Sequence, residues 1–131
     1  MAETKGEKSV LIIDDSEHVR ALLLMLLKKE GINTIYQAVD GSDGVGKYKT
    51  HSPSLVFLDY MLPKISGLEV LKQIKQYDPS AKVIMLSAVS SIEIAQQAKE
   101  LGALHYLVKP YQPVKVIELL KKYLLQTGTK A

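Results

Sequence analysis

Short runs rich in Val, Ile and Leu alternate along this chain with longer segments whose apolar residues recur every three or four positions, and few folds accept that alternation. The runs are SVLII at 9–13, TIYQAV at 34–39, LVFL at 55–58, KVIMLS at 82–87 and LHYLV at 104–108. Runs one, three and four suit strands covered on both faces, whereas Gln37 marks run two as a sheet edge. Helical segments lie between and after them. The first spans 16–30, with Ser16 as N-cap and Gly31 placed for a left-handed close. The second, 42–51, contains Gly44 and Gly46, each costing ~1 kcal/mol against Ala, so it is expected to be the weakest and most mobile. The third, 67–77, puts Leu68, Leu71 and Ile74 on one stripe and stops before Pro79. The fourth spans 91–101, and the fifth starts near Pro113 and fades into the polar TGTKA. Such a chain predicts an α/β fold, a doubly wound five-stranded parallel sheet of order 2-1-3-4-5 in a three-layer sandwich. Closing a barrel would take about 250 residues.

The 131 residues hold one domain with one core. Apolar residues at 47% and charged residues at 24% match the globular average, which excludes disordered, collagenous and mucin-like classes. The longest apolar run, at 21–27, falls far short of the ~20 residues of a bilayer-spanning helix. The opening MAETKGEKSV lacks the apolar stretch of a secretion signal, so a soluble, cytoplasmic protein without membrane association is expected. Without cysteine there is no disulfide, thiolate metal site or thiol nucleophile. A net charge of +3, spread through amphipathic segments, gives no footing for nucleic acid.

In this fold the residues that follow the strands converge at one edge of the sheet. Asp14 and Asp15 follow run one, Asp59 follows run three, Ser87 closes run four, and Lys109 and Pro110 follow run five. Three converging carboxylates repel one another unless a cation intervenes. Hard oxygen donors with no His or Cys beside them favour Mg²⁺ or Mn²⁺. Capping of the first helix, favourable by ~0.3–1 kcal/mol, competes as an explanation of Asp14 and Asp15, but it needs one acid only and leaves Asp59 unexplained. Lys109 would pair with Asp59 or with a phosphoryl group on it, and Pro110 keeps Lys109 extended and permits a cis bond. Ser87, beside the small Ala88, is either a satisfied loop hydroxyl or a donor to a phosphoryl oxygen. These groups suit a carboxylate nucleophile attacking phosphorus to give an acyl phosphate, with Mg²⁺ and Lys109 stabilising the equatorial oxygens.

The segments LIIDDS at 11–16, LVFLDYMLPKISGLEVL at 55–71, VIMLSA at 83–88 and GALHYLVKPY at 102–111 occur in an order and spacing that resembles a response-regulator receiver domain of two-component signalling. The likeness runs from about Lys8 to Leu125 and implies a flavodoxin-like, CheY-like fold over 8–126, between flexible tails at 1–7 and 127–131. It implies that Asp59 accepts a phosphoryl group from a phosphohistidine on a sensor histidine kinase or phosphotransfer protein. Asp15 and Asp59 would bind Mg²⁺ directly, Asp14 through water, and Met61 through its backbone carbonyl. Ser87 and Lys109 would contact the phosphoryl group, Pro63 and Gly67 would shape the loop after strand three, and Tyr106 would be an aromatic switch coupled to Ser87, competing with a plain packing role. The bond from Lys109 to Pro110 would be cis.

The resemblance further implies a phosphoacceptor that catalyses its own phosphorylation and dephosphorylation, rather than an enzyme acting on other molecules. Met61 and Val89 are apolar at positions where the family often places polar side chains, so slow self-dephosphorylation is expected. With helix five so near the last residue, no output domain is expected, and the signal would leave through the face of strand four, helix four, strand five and helix five. The output would be chemotaxis-like or part of a phosphorelay, from a monomer or a phosphorylation-dependent dimer. His18, His51 and His105 have no second ligand at useful spacing, although His18 lies in the helix turn where a kinase would approach. The alternatives are a receiver-like interaction module that ignores phosphorylation, a haloacid-dehalogenase-type phosphatase, whose DxD after strand one is absent, and a flavin binder, whose phosphate Asp14 and Asp15 would repel.

Overall fold

The five apolar runs become β1 (Ser9–Ile13), β2 (Thr34–Ala38), β3 (Leu55–Asp59), β4 (Val83–Ser87) and β5 (His105–Val108). They pair in parallel in the order β2-β1-β3-β4-β5. The computed structural model describes residues 8–125, and the tails expected at 1–7 and 127–131 lie outside the described residues. Between the strands come α1 (Glu17–Lys29), α2 (Gly41–His51), α3 (Gly67–Tyr77) and α4 (Ile92–Glu100); α5 (Pro113–Leu120) follows β5 and passes into a π-helical turn at Lys121–Leu125. Side chains alternate across a strand, so each sheet face receives every second residue. Val10, Ile12, Phe57, Ile84 and Leu86 pack with Leu23 and Leu27 of α1 and Val116 and Leu120 of α5. Leu11, Ile13, Val56, Leu58 and Met85 pack with α2, α3 and α4 through Val45, Tyr48, Val70, Leu71, Ile74 and Ala98. β1, β3 and β4 are buried almost throughout, and Gln37 lies on an edge strand as its polarity requires.

Element ends differ from the sequence reading where side chains bond to the backbone. β2 stops at Ala38, and Val39 is exposed. Ser16 caps α1, its Oγ accepting from the Val19 amide at 3.2 Å, and Gly31 follows with φ of +89°. α2 starts one residue earlier than expected because Asp40 caps it, accepting from the Asp43 amide at 2.8 Å. α3 buries Val70 beside Leu71 and Ile74, while Leu68 is half-buried. Among the described residues, no helix is long and apolar enough to cross a membrane.

Gly44 is a packing requirement of α2 rather than a defect in it. A Cβ there would lie 2.5 Å from Cδ1 and 2.9 Å from Cγ1 of the fully buried Ile13, so glycine lets α2 settle against β1. A Cβ on Gly46 would meet nothing within 4 Å. Gly46→Ala is therefore expected to raise stability by about 0.5–1 kcal/mol, and Gly44→Ala to lower it by about 1–3 kcal/mol. Urea unfolding of the two variants checks this, and a matched response in sign would remove the distinction.

Candidate functional site

The register sets Asp59 opposite Leu86 and Ser87 opposite Val108, so the carboxyl ends of β3, β4 and β5 finish level with one another. β1 lies beside β3 and delivers Asp14 and Asp15 to the same edge. Carboxylate oxygens of Asp14, Asp15 and Asp59 all come within 4.8 Å of one another. Asp14 and Asp59 are buried, whereas Asp15 is exposed. The Lys109 ammonium donates to Asp14 Oδ2 at 3.0 Å and to Asp59 Oδ1 at 3.2 Å. Asp14 Oδ1 accepts from the Ser16 amide at 2.9 Å, so each of its oxygens already has a partner. Among the described residues, Asp15 has no hydrogen bond or ion pair through its carboxylate.

One ammonium faces three carboxylates, and the proton affinities show the imbalance. Burial pushes the Asp59 carboxyl above the usual aspartate range, and the adjacent Asp14 charge adds to the rise against the pull of Lys109. Burial alone would lower the Lys109 ammonium, but its hydrogen bonds and charge contacts with Asp14 and Asp59 outweigh that and hold it above its ordinary value. Carboxylate oxygens with a surplus of negative charge are a donor set suited to a hard divalent cation.

Ser87 is fully buried; its Oγ accepts from the Val89 amide at 2.8 Å and keeps its own hydrogen to donate. The Val89 carbonyl in turn accepts from the Tyr106 hydroxyl at 2.7 Å, so one residue ties Ser87 to the half-buried Tyr106. The Lys109 amide donates to the Ser87 carbonyl at 2.7 Å, and the bond from Lys109 to Pro110 is cis. After β3 the chain turns sharply. The Ile65 amide donates to the Pro63 carbonyl at 2.8 Å, and Lys64 between them has φ of +74°, a γ-turn. Gly67 closes the loop by donating to the Tyr60 carbonyl at 2.8 Å.

The strand-end residues Asp14, Asp15, Asp59, Ser87 and Lys109 thus meet in one place. Two of the histidines lie elsewhere, His51 stacked on Tyr36 and His105 in β5, while His18 lines a cavity of about 480 Å³ that it shares with Leu22, Ala88, Pro110, Tyr111 and the site residue Lys109. Two neighbours escape the sequence reading. The Tyr111 phenol, pushed up to about 12 by burial and then by the Asp14 and Asp59 charges, follows directly on Lys109 and Pro110, and that adjacency is the signal that could have found it. Arg20 donates to the Asp14 carbonyl at 2.8 Å, and only the polarity of its second partner, Gln37, hints at this.

An open parallel sheet that gathers carboxylates at the ends of β1 and β3, a hydroxyl at the end of β4 and an ammonium after β5 has the donor set of a site for phosphoryl chemistry. The family profile of the response regulator receiver domain matches residues 10–121, and the chain belongs to that family. The chain is 38% identical to chemotaxis protein CheY of Bacillus subtilis, over 88% of this chain and 96% of that one. It is 36% identical to sporulation initiation phosphotransferase F of the same organism, over 89% and 94%. The structure superposes with TM-score 0.85 and 34% identity on the CheY of a CheX-CheY-BeF3-Mg+2 complex from Borrelia burgdorferi, covering 93% and 92% of the two chains. The protein is therefore a response regulator of two-component signalling, built on a phosphoacceptor receiver domain.

Proposed function

We propose that Asp59 accepts the phosphoryl group, and that a divalent cation, Mg²⁺ or Mn²⁺, is needed for it. The observation that carries this reading is the meeting of the Asp59 carboxylate with Asp14, Asp15 and a single lysine at one strand edge. Asp15 and Asp59 would hold the cation directly, Asp14, whose oxygens are taken by Ser16 and Lys109, would act through water, and the Met61 carbonyl would complete the protein's share. When bound, the ion neutralises charge on the phosphoryl oxygens. Lys109 takes one of those oxygens and the Ser87 hydroxyl another. Turning Ser87 towards its new acceptor disturbs the bond to the Val89 amide, and the Val89 carbonyl carries the change to Tyr106. Pro63 and Gly67 keep the intervening loop in shape, and Pro110 keeps Lys109 over the pocket.

The donor is a phosphohistidine on a sensor histidine kinase or phosphotransfer protein. Output passes to a target protein through the face of β4, α4, β5 and α5, where Ile92, Val108 and Val114 are exposed. The domain works in the cytoplasm, as a monomer or a dimer formed on phosphorylation, with chemotaxis-like or phosphorelay output. Relatives of both kinds support that pair of outputs. Intact-mass spectrometry with acetyl phosphate tests the reading: one phosphoryl adduct is expected with Mg²⁺ and none with EDTA. Met61 and Val89 offer no polar side chain to orient water, so the adduct should outlast donor removal by far more than seconds. An adduct that forms equally in EDTA would overturn the metal requirement, and no adduct from either acetyl phosphate or a phosphohistidine donor would favour a phosphorylation-independent interaction module.

A further inference from the structure

Gln37 sets a polar side chain between Tyr36 and the buried Ala38 in the edge strand β2. Its Oε1 accepts from Arg20 Nε at 3.0 Å, across 17 positions of sequence. The same guanidinium donates through Nη1 to the Asp14 carbonyl at 2.8 Å. The Asp14 amide is held as well, donating to the Ala38 carbonyl at 3.0 Å. Both backbone groups of Asp14 are thus tied to β2 or to a group braced by β2. Beyond Gln37, its carbonyl accepts from the Lys47 ammonium, which pairs with Asp43 at 3.3 Å on α2.

We infer that Arg20, braced by Gln37, is a positioning residue for the acidic pair: it fixes the peptide that joins Asp14 to Asp15 and so sets where the two carboxylates stand for a divalent cation. The Asp14 carbonyl belongs to the peptide that leads into Asp15, and Asp15 has no other restraint on its carboxylate among the described residues. A planar guanidinium can hold a carbonyl and an amide oxygen together in a fixed fork, and a lysine ammonium on a flexible stem cannot reproduce that geometry. Groups that orient metal-binding residues typically govern metal affinity 10–100-fold when removed. The inference rests on the reading that these acids bind a divalent cation.

Calorimetric titration of Mg²⁺ into wild type, Arg20→Ala, Arg20→Lys, Gln37→Ala and Tyr48→Phe tests it, with thermal unfolding recorded for each. Tyr48 is the control, since its hydroxyl holds Asp78 at 2.7 Å on α3's far end and its loss costs stability without touching the acids. Arg20→Ala is expected to weaken Mg²⁺ about 10-fold, and Arg20→Lys and Gln37→Ala are expected to weaken it less. Tyr48→Phe should bind as wild type does. Phosphoryl uptake from acetyl phosphate at saturating Mg²⁺ should recover in Arg20→Ala, since the defect lies in holding the ion. If Arg20→Ala does not fold, Arg20→Lys and Gln37→Ala carry the comparison. Wild-type affinity in the Arg20 and Gln37 variants overturns the inference, as does equal weakening in Tyr48→Phe, which would make the effect one of stability. Absence of Mg²⁺ binding by wild type itself overturns it together with the metal reading, an outcome distinct from either.

Discussion

Asp59→Asn is expected to abolish phosphoryl uptake and, in EDTA, to leave a protein more stable than wild type, since Lys109 keeps its pairing with Asp14. The first half follows from the proposed role of Asp59 as the nucleophile. The second follows from burial: Asp59 is 3% exposed and faces Asp14, so its carboxyl sits above the usual aspartate range in the folded state. A carboxyl raised on folding costs stability at every pH above its folded value. The cost shrinks as pH falls through that value and is gone below the ordinary aspartate pKa, where both states hold the proton. The gain in the Asn variant should therefore be full at neutral pH and fade in acid. Mg²⁺ should reverse the order, because an ion at about a hundredfold its Kd stabilises the native state by about 2.7 kcal/mol and the variant has lost a ligand. Thermal unfolding in EDTA and in Mg²⁺ measures both halves. An Asn variant less stable than wild type in EDTA would refute the charge argument.

That cost explains why the site was legible before the structure. Asp14 follows, and Asp59 and Ser87 end, strands whose other positions are mostly buried and apolar, so a polar group there stands out. Their positions at strand ends, together with the parallel order, were enough to bring them to one edge. Lys109 was legible for the same reason. The strands themselves followed from their apolar runs, α1 from its serine cap and α3 from its apolar stripe, while the caps of Ser66 on α3 and Ser91 on α4 emerge only in the structure. What sequence could not supply was any relation requiring two elements to be packed. The fork of Arg20 spans Asp14 and Gln37, and the need for glycine at 44 comes from Ile13, a residue far away in sequence and adjacent only through the α2 and β1 contact. Asp40 was overlooked as a cap because the Asp-Gly pair that follows β2 also suits a turn, and only the bond to the Asp43 amide decides between them.

Gly67→Ala is expected to lower stability by about 3 kcal/mol and to reduce phosphoryl uptake per folded molecule. A Cβ at this position would lie 2.3 Å from the Asp59 carbonyl oxygen and 2.7 Å from the Tyr60 Cα. Both atoms are backbone, so no rotamer change relieves the contact. Either α3 moves outward, drawing Val70, Leu71 and Ile74 from the core, or the end of β3 moves and takes Asp59 with it. The Gly67 amide bond to the Tyr60 carbonyl would stretch in both cases. Leu71→Ala separates loss of packing from loss of site geometry. It leaves a cavity in the same layer at a cost of about 2–5 kcal/mol but puts no atom against Asp59. At temperatures where both variants are folded, Leu71→Ala should take up phosphoryl from acetyl phosphate at nearly the wild-type rate, and Gly67→Ala should be slower and bind Mg²⁺ more weakly. Equal rates in the two variants would mean that the loop absorbs the extra methyl without moving Asp59, and Gly67 would then serve the fold alone.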